Sequence, residues 1–224
     1  MMKLNISDFQ ALPDSKINLK KWPTLIDPLY TSKKHYQKIL KQNVEALSEL
    51  QHMLYADNHY SILLIFQGMD AAGKDGAIRH VMSGINPQGF QVFRFKQPSA
   101  NELEHDFLWR TARCLPERGR IGIFNRSYYE EVLIVKVHPE FLVSQRLPDK
   151  LPPKKSFWQN RYRSILEHEA HLHRSGTRII KFFLHQSKDE QARRFMQRID
   201  DPDKNWKLTT ADIEQREFWD DYTK

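Results

Sequence analysis

The chain has 224 residues, 40% of them hydrophobic, with 35 Lys and Arg against 28 Asp and Glu for a formal net charge of +7. With 8 Gly, 11 Pro and no biased tract, that excludes collagen-like, low-complexity and wholly disordered chains and leaves one sizeable domain or two small ones. Cys114 is the only cysteine, so no intrachain disulfide can form; the longest apolar run, Ile62 to Phe66, is too short to span a bilayer, and residues 1–8 have no apolar h-region, so a cytoplasmic location and no membrane partner are expected.

Residues 1–31, with prolines at 13, 23 and 28, read as an irregular segment preceding a domain that runs from 32 to 224. Tyr36, Ile39, Leu40, Leu47, Leu50 and Leu54 recur at helical spacing, which predicts an amphipathic helix over 32–56. Ser61–Gln67 (SILLIFQ) reads as a buried parallel strand, followed by a helix to about Ser83 that Gly84 should close. Gln91–Lys96 is the next strand. Ser99 and Glu102 form a capping box that opens a helix to about Leu115. Arg120–Asn125 (RIGIFN) is a third strand, and Ser127 with Glu130 reads as a second box opening a helix that ends near His138. After a Pro- and Lys-rich loop over 147–155, a helix over 157–174 ends at Gly176 and a fourth strand spans 178–185. Ser187 and Glu190 form a third box, opening a helix to about Ile199, and a last helix is expected over 211–222. Strands alternating with helices predict an α/β fold with a parallel sheet covered on both faces.

Gly68-Met-Asp70-Ala71-Ala72-Gly73-Lys74-Asp75 sits between the buried strand and its helix, the setting of a phosphate-binding loop. Glycines let several N–H groups face one anion, the helix N-terminus adds partial positive charge, and Lys74 adds a full one. The usual Ser or Thr after the lysine is replaced by Asp75. Two carboxylates beside phosphates repel them unless a cation intervenes, so Asp70 and Asp75 point to Mg²⁺; alternatively, Asp75 is simply an acid in a first helical turn. At the end of the third strand Asn125 stands where a Walker-B acid often lies. Beside it, Arg126 is placed to neutralise a transferring phosphoryl group, or to pair with a nearby acid. Glu130 could reach the metal, but it is also spaced as the cap partner of Ser127, and the cap is the reading taken. His168 and His171 are three apart rather than four, which does not fit a zinc-protease helix, and Cys114 reads as inert packing.

Several motifs in order resemble the polyphosphate kinase 2 family: Gly68–Gly76 (GMDAAGKDG), Asn86–Gly89, His105–Arg110, Phe124–Glu130 (FNRSYYE) and Asp201–Lys207. The resemblance runs from about residue 30 to the end. It implies a three-layer P-loop kinase fold with a helical lid near 188–207, dependence on Mg²⁺, and phosphoryl transfer between inorganic polyphosphate and a nucleoside mono- or diphosphate. It also implies functional roles at Asp70, Lys74, Asn125 and Arg126. On that basis Arg198 is expected to join Arg126 at the transition-state charge, and Arg193, Arg194, Lys204 and Lys207 to meet polyphosphate from the lid. The NRSYYE form resembles members that accept AMP as well as ADP. The family pattern continues past the position of Lys224 into a basic and aromatic segment that this sequence does not contain.

Two basic runs fit a polyanion: Lys16–Lys41 carries seven lysines against Asp27, and Arg146–Arg163 six basic residues against Asp149. Two other readings stand beside the polyphosphate one. An ATP-dependent nucleotide or small-molecule kinase would share the loop, and a nucleic-acid-binding P-loop protein would share the charge. No helix-turn-helix or aromatic-interleaved basic motif supports the latter, so nucleic acid is not expected as a partner. Self-association into a homo-oligomer is left open.

Overall fold

Apolar strands and amphipathic helices sort into three layers in the computed structural model, which describes residues 5–12, 15–148, 154–203, 205 and 209–223. Four parallel strands form the middle layer: β1 (Ser61–Gln67), β2 (Phe90–Arg94), β3 (Ile121–Asn125) and β4 (Thr177–Phe183), in the order β2-β3-β1-β4. Side chains alternate across the central strands, so each strand feeds two cores. Leu63, Ile65 and Phe124 join Trp158 and Ile165 of helix α7 (Lys154–Arg174) on one face. On the other, Phe66, Ile121 and Ile123 join Ile78 and Met82 of α2 (Lys74–Met82) and Val44, Leu47 and Leu54 of α1 (Lys33–Asp57). Among the described residues no helix is long and apolar enough to cross a membrane.

The first turn of α1 is capped by Ser32, whose hydroxyl accepts from His35 N. The buried stripe of α1 differs from the expected one. Gln51 is buried and Leu50 is exposed, because the Gln51 amide donates to the Asn86 carbonyl at 3.0 Å across the helix–loop contact. Helix α2 ends as expected, but Gly84 is not a left-handed cap. It is needed for space: a Cβ there would stand 2.3 Å from Val44 Cγ1.

Three expected helices are interrupted. The Ser99–Glu102 box is present and opens α3 (Ala100–Leu103), but Asp106 Oδ1 then accepts from Leu108 N at 2.9 Å. That local bond competes with helix continuation, and α4 is only Trp109–Ala112. The Ser127–Glu130 box does not form. Ser127 Oγ accepts from Tyr129 N and Gln67 Nε2 while Glu130 turns to Arg126, so the segment winds as a 3₁₀ turn (Tyr128–Val132) before α5 (Ile134–Val137) and α6 (Phe141–Ser144). At α8 (Lys188–Asp200) Ser187 Oγ caps Glu190 N, yet the Glu190 carboxylate goes to Arg193 and Arg194 instead of closing a box. The terminal helix divides into α9 (Thr210–Glu214), a 3₁₀ turn and α10 (Trp219–Tyr222). Part of the expected 147–155 loop, residues 149–153, lies outside the described residues.

Register brings the strand ends level: Phe66 faces Asn125 on one side and Phe182 on the other, and Arg94 faces Asn125. From β1 the chain crosses over β3 to reach β2, and from β3 it crosses over β1 to reach β4, so the connections leaving these two neighbouring strands run in opposite directions on opposite faces of the sheet. Ligands of open parallel sheets bind in the crevice at such a point.

Candidate active site

The loop from Gly68 to Gly73 leaves β1 at that crevice and turns into α2. Gly73, at φ 95°, serves as N-cap without a side-chain bond, leaving the first N–H groups of α2 uncapped by its side chain. The outer side of the loop is braced by the segment leading into α8 and by α8 itself. Gln186 Nε2 and Gln191 Nε2 both donate to the Asp70 carbonyl, at 2.8 and 2.9 Å, and Arg194 Nη1 donates to the Ala71 carbonyl at 3.0 Å. With these carbonyls engaged from outside, the loop keeps one shape.

Lys74 folds back over the loop, donating to the carbonyls of Gly68 (2.5 Å) and Met69 (3.0 Å). Burial, and next the Arg126 guanidinium, push its pKa down to about 8, against the pull of Asp70, Glu130 and Asp75. Arg126 follows directly on β3 with φ 66°, a left-handed backbone on a non-glycine residue. Its N–H donates to Phe66 O at 3.0 Å, and its guanidinium bridges Asp70 and, at 3.2 Å, Glu130 Oε2. Burial works against the charge on Arg126, but Glu130 and Asp70 outweigh it and raise its pKa. Burial likewise raises the pKa of the Glu130 carboxyl, with Arg126 and Lys74 opposing.

Asp75, in the first turn of α2, accepts from Asn125 Nδ2 at 2.6 Å and pairs with Arg94 at the end of β2. The structure therefore gathers Asp70, Lys74, Asp75, Asn125 and Arg126 around one crevice. Glu130 joins them as a site residue and not as a helix cap, held there by its ion pair to Arg126. Arg94 and the two loop-bracing glutamines escape a motif reading; only the position of Arg94 at a strand end marks it. The expected lid cations separate. Arg193 lies exposed in a two-bond pair with Glu190, and Arg194 braces the loop. Arg198 stacks over Phe195 at 5.5 Å, on the same helical face as Gln191 and Arg194. Lys204 and Lys207 lie outside the described residues.

The carboxylates fit a hard divalent cation. Among the described residues no three His, Cys, Asp or Glu side chains converge as a metal cage. Mg²⁺ is commonly held by one or two carboxylates with water and substrate phosphates completing the shell; here the Asp70 carboxylate is paired with Arg126 and the Asp75 carboxylate with Arg94.

A parallel sheet with a lysine-bearing loop after its first strand, and an arginine entering from the neighbouring strand end, defines a P-loop phosphotransferase. The polyphosphate kinase 2 family model matches residues 30–224, and the chain belongs to that family. It is 63% identical over 221 residues to the ADP-polyphosphate phosphotransferase of Rhodopseudomonas palustris, covering 99% of this chain and 76% of that one. Identity to the AMP/ADP-polyphosphate phosphotransferase of Meiothermus ruber is 42% over 219 residues, covering 96% and 76%. The fold superposes on the crystal structure of polyphosphate kinase 2 from Arthrobacter aurescens with a TM-score of 0.82 at 38% identity, covering 93% of this chain and 71% of that one.

Proposed function

We propose that this chain transfers a phosphoryl group between inorganic polyphosphate and a nucleoside diphosphate or monophosphate, ADP and AMP before GDP, with Mg²⁺ as cofactor. The observation that carries this is the meeting of Lys74, on the loop after β1, with Arg126, on the turn after β3, at one sheet crevice. The named relatives support the substrate pair: one acts on ADP and one on AMP or ADP. A third, the GDP-polyphosphate phosphotransferase of Pseudomonas aeruginosa, is 34% identical over 162 residues, covering 72% of this chain and 42% of that one.

The accepting phosphate oxygen is already largely ionised near neutral pH, because its second pKa is about 6. No strong base is needed, and the work is positioning and charge neutralisation. The N–H groups of the loop at Gly68, Ala71 and Gly73 orient the transferring phosphoryl group while Ala72 N–H closes the loop's own turn on the Met69 carbonyl at 3.1 Å, and Lys74 neutralises the charge. Arg126 meets the charge that builds as the bond changes hands, and Arg198 approaches it from α8. Asp70 and Asp75 would hold Mg²⁺, which supplies further charge neutralisation when bound. Arg193 contacts the polyphosphate chain from the exposed side of α8, while Arg194 keeps the loop in shape.

The test is nucleotide formation from ADP, AMP and GDP with long-chain polyphosphate and Mg²⁺ and no ATP. Triphosphate should appear with ADP and disappear in Lys74→Ala. Product that forms only when ATP is supplied would overturn the reading.

A further inference from the structure

Arg126 has an unusual burden: a left-handed backbone and a guanidinium that must face the crevice. A non-glycine residue at φ 66° persists only where its surroundings hold it. Its contacts to Asp70 and Glu130 lie inside the crevice. The turn that follows is held by α7 and β4.

Tyr128 and Tyr129, directly after Arg126 and Ser127, send both hydroxyls to one oxygen of Glu169 on α7, at 2.9 and 2.7 Å. The other Glu169 oxygen accepts from Lys181 Nζ of β4 at 2.8 Å, and Lys181 also donates to the Tyr129 hydroxyl at 3.0 Å. One carboxylate thus gathers three donors from two elements. The Tyr128 side chain is sealed in the core at 1% exposure, and its ring meets the edge of His168. The Glu169 side chain is only 12% exposed. Burial, then the Glu169 carboxylate, raise the pKa of Tyr128, so its hydroxyl stays a donor; Tyr129 is pushed up to about 12, chiefly by burial. None of these four side chains belongs to the phosphate-binding loop.

We propose that Glu169 and Lys181 are positioning residues for Arg126: together they clamp Tyr128 and Tyr129, and through them fix the turn that aims the guanidinium at the transferring phosphoryl group. The inference rests on the catalytic role given to Arg126 above. Its mark is a loss in kcat that depends on Arg126, because a clamp that merely stabilised the fold would cost activity with or without that arginine.

The experiment is a double-mutant cycle on the full chain. Glu169→Ala should lower kcat at least tenfold with KM for polyphosphate within threefold of the parent. In an Arg126→Ala background the same change should alter kcat less than twofold. Glu169→Gln, which keeps an acceptor oxygen for the tyrosines, should recover part of the loss. Tyr129→Phe keeps the ring and serves if Glu169→Ala does not fold; it should lower kcat severalfold under the same Arg126 dependence. Equal losses in both backgrounds, or a loss carried by KM alone, would overturn the inference. Amide hydrogen exchange over 125–132 separates it from the reading beneath it. Unchanged exchange in the Glu169 variants sinks the clamp itself. Faster exchange together with an Arg126→Ala enzyme at parental kcat sinks the role of Arg126, and the positioning role with it.

Discussion

The ammonium of Lys74 lies buried beside the Arg126 guanidinium, and burial first and that neighbour second push its pKa down to about 8. Because kcat/KM reports the free enzyme, its value for polyphosphate should hold below pH 8 and then fall about tenfold per pH unit as Lys74 loses its proton. Phosphate oxygens beside the ammonium favour its charged form, so kcat at saturation should persist to higher pH. Lys74→Met should lose activity by about 10²–10³-fold, the scale of removing one preorganised donor to developing charge. Stability follows with a definite sign. The folded pKa is below that of the unfolded chain, so the charged lysine costs stability at every pH under about 8. The cost, about 3 kcal/mol by the size of the shift, is relieved between pH 8 and 10.5. The Tm of the parent relative to Lys74→Met should therefore rise across that window, and a flat difference would show that Lys74 is solvated after all.

At the scale of elements, α1 and α2 meet where Gly84 leaves room for Val44. A Cβ at position 84 would lie 2.3 Å from Val44 Cγ1, a contact that one of the two must yield. Gly84→Ala should destabilise by about 1–3 kcal/mol through overpacking and lower Tm by several degrees, as read by calorimetry. Val44→Ala in the same chain should restore much of that loss, while activity per folded molecule stays unchanged. The same glycine shows what the sequence carries and what it does not. Its place after an amphipathic helix was legible, because helix ends are written locally; its reason was not, because Val44 lies forty residues earlier. Strand β1, the loop and α2 were readable for the same local reason: an apolar run, glycines and a lysine in order. Where two local signals compete, pattern alone cannot choose. Ser127 and Glu130 have cap spacing, yet Glu130 answers to Arg126. Asp106 interrupts a helix whose capping box is intact. Arg94 meets Asp75 only once β2 is laid beside β3, and Gln186 and Gln191 reach Asp70 from more than a hundred residues away. Such contacts follow from sheet order, which no short window of sequence contains.

At the scale of the whole molecule, one stretch of positive charge lies beside the same crevice. The irregular N-terminal segment docks at the end of β4, where His185 Nε2 and the Leu19 carbonyl lie 3.1 Å apart, and Leu19 lines the cleft that also holds Asp70, Arg126 and Glu130. Lys16, Lys20 and Lys21 flank that contact and are exposed. They stand beside the reaction rather than in it. A polyphosphate long enough to extend past Arg126 would run into this run of lysines, whereas a short one would not. Exposed charges act over a Debye length of about 8 Å at physiological ionic strength, so their pull is local and weakens with salt. Lys20→Glu with Lys21→Glu should therefore raise KM for long-chain polyphosphate severalfold, leave KM for a short oligophosphate within twofold, and leave kcat unchanged. Added salt should raise the parent's long-chain KM and do so less steeply in the double variant. Steady-state kinetics with the two phosphate lengths at low and high salt decides it. If both lengths suffer alike, the lysines act on the crevice itself; if neither does, the chain leaves the site by the opposite side, over β2 and Arg94.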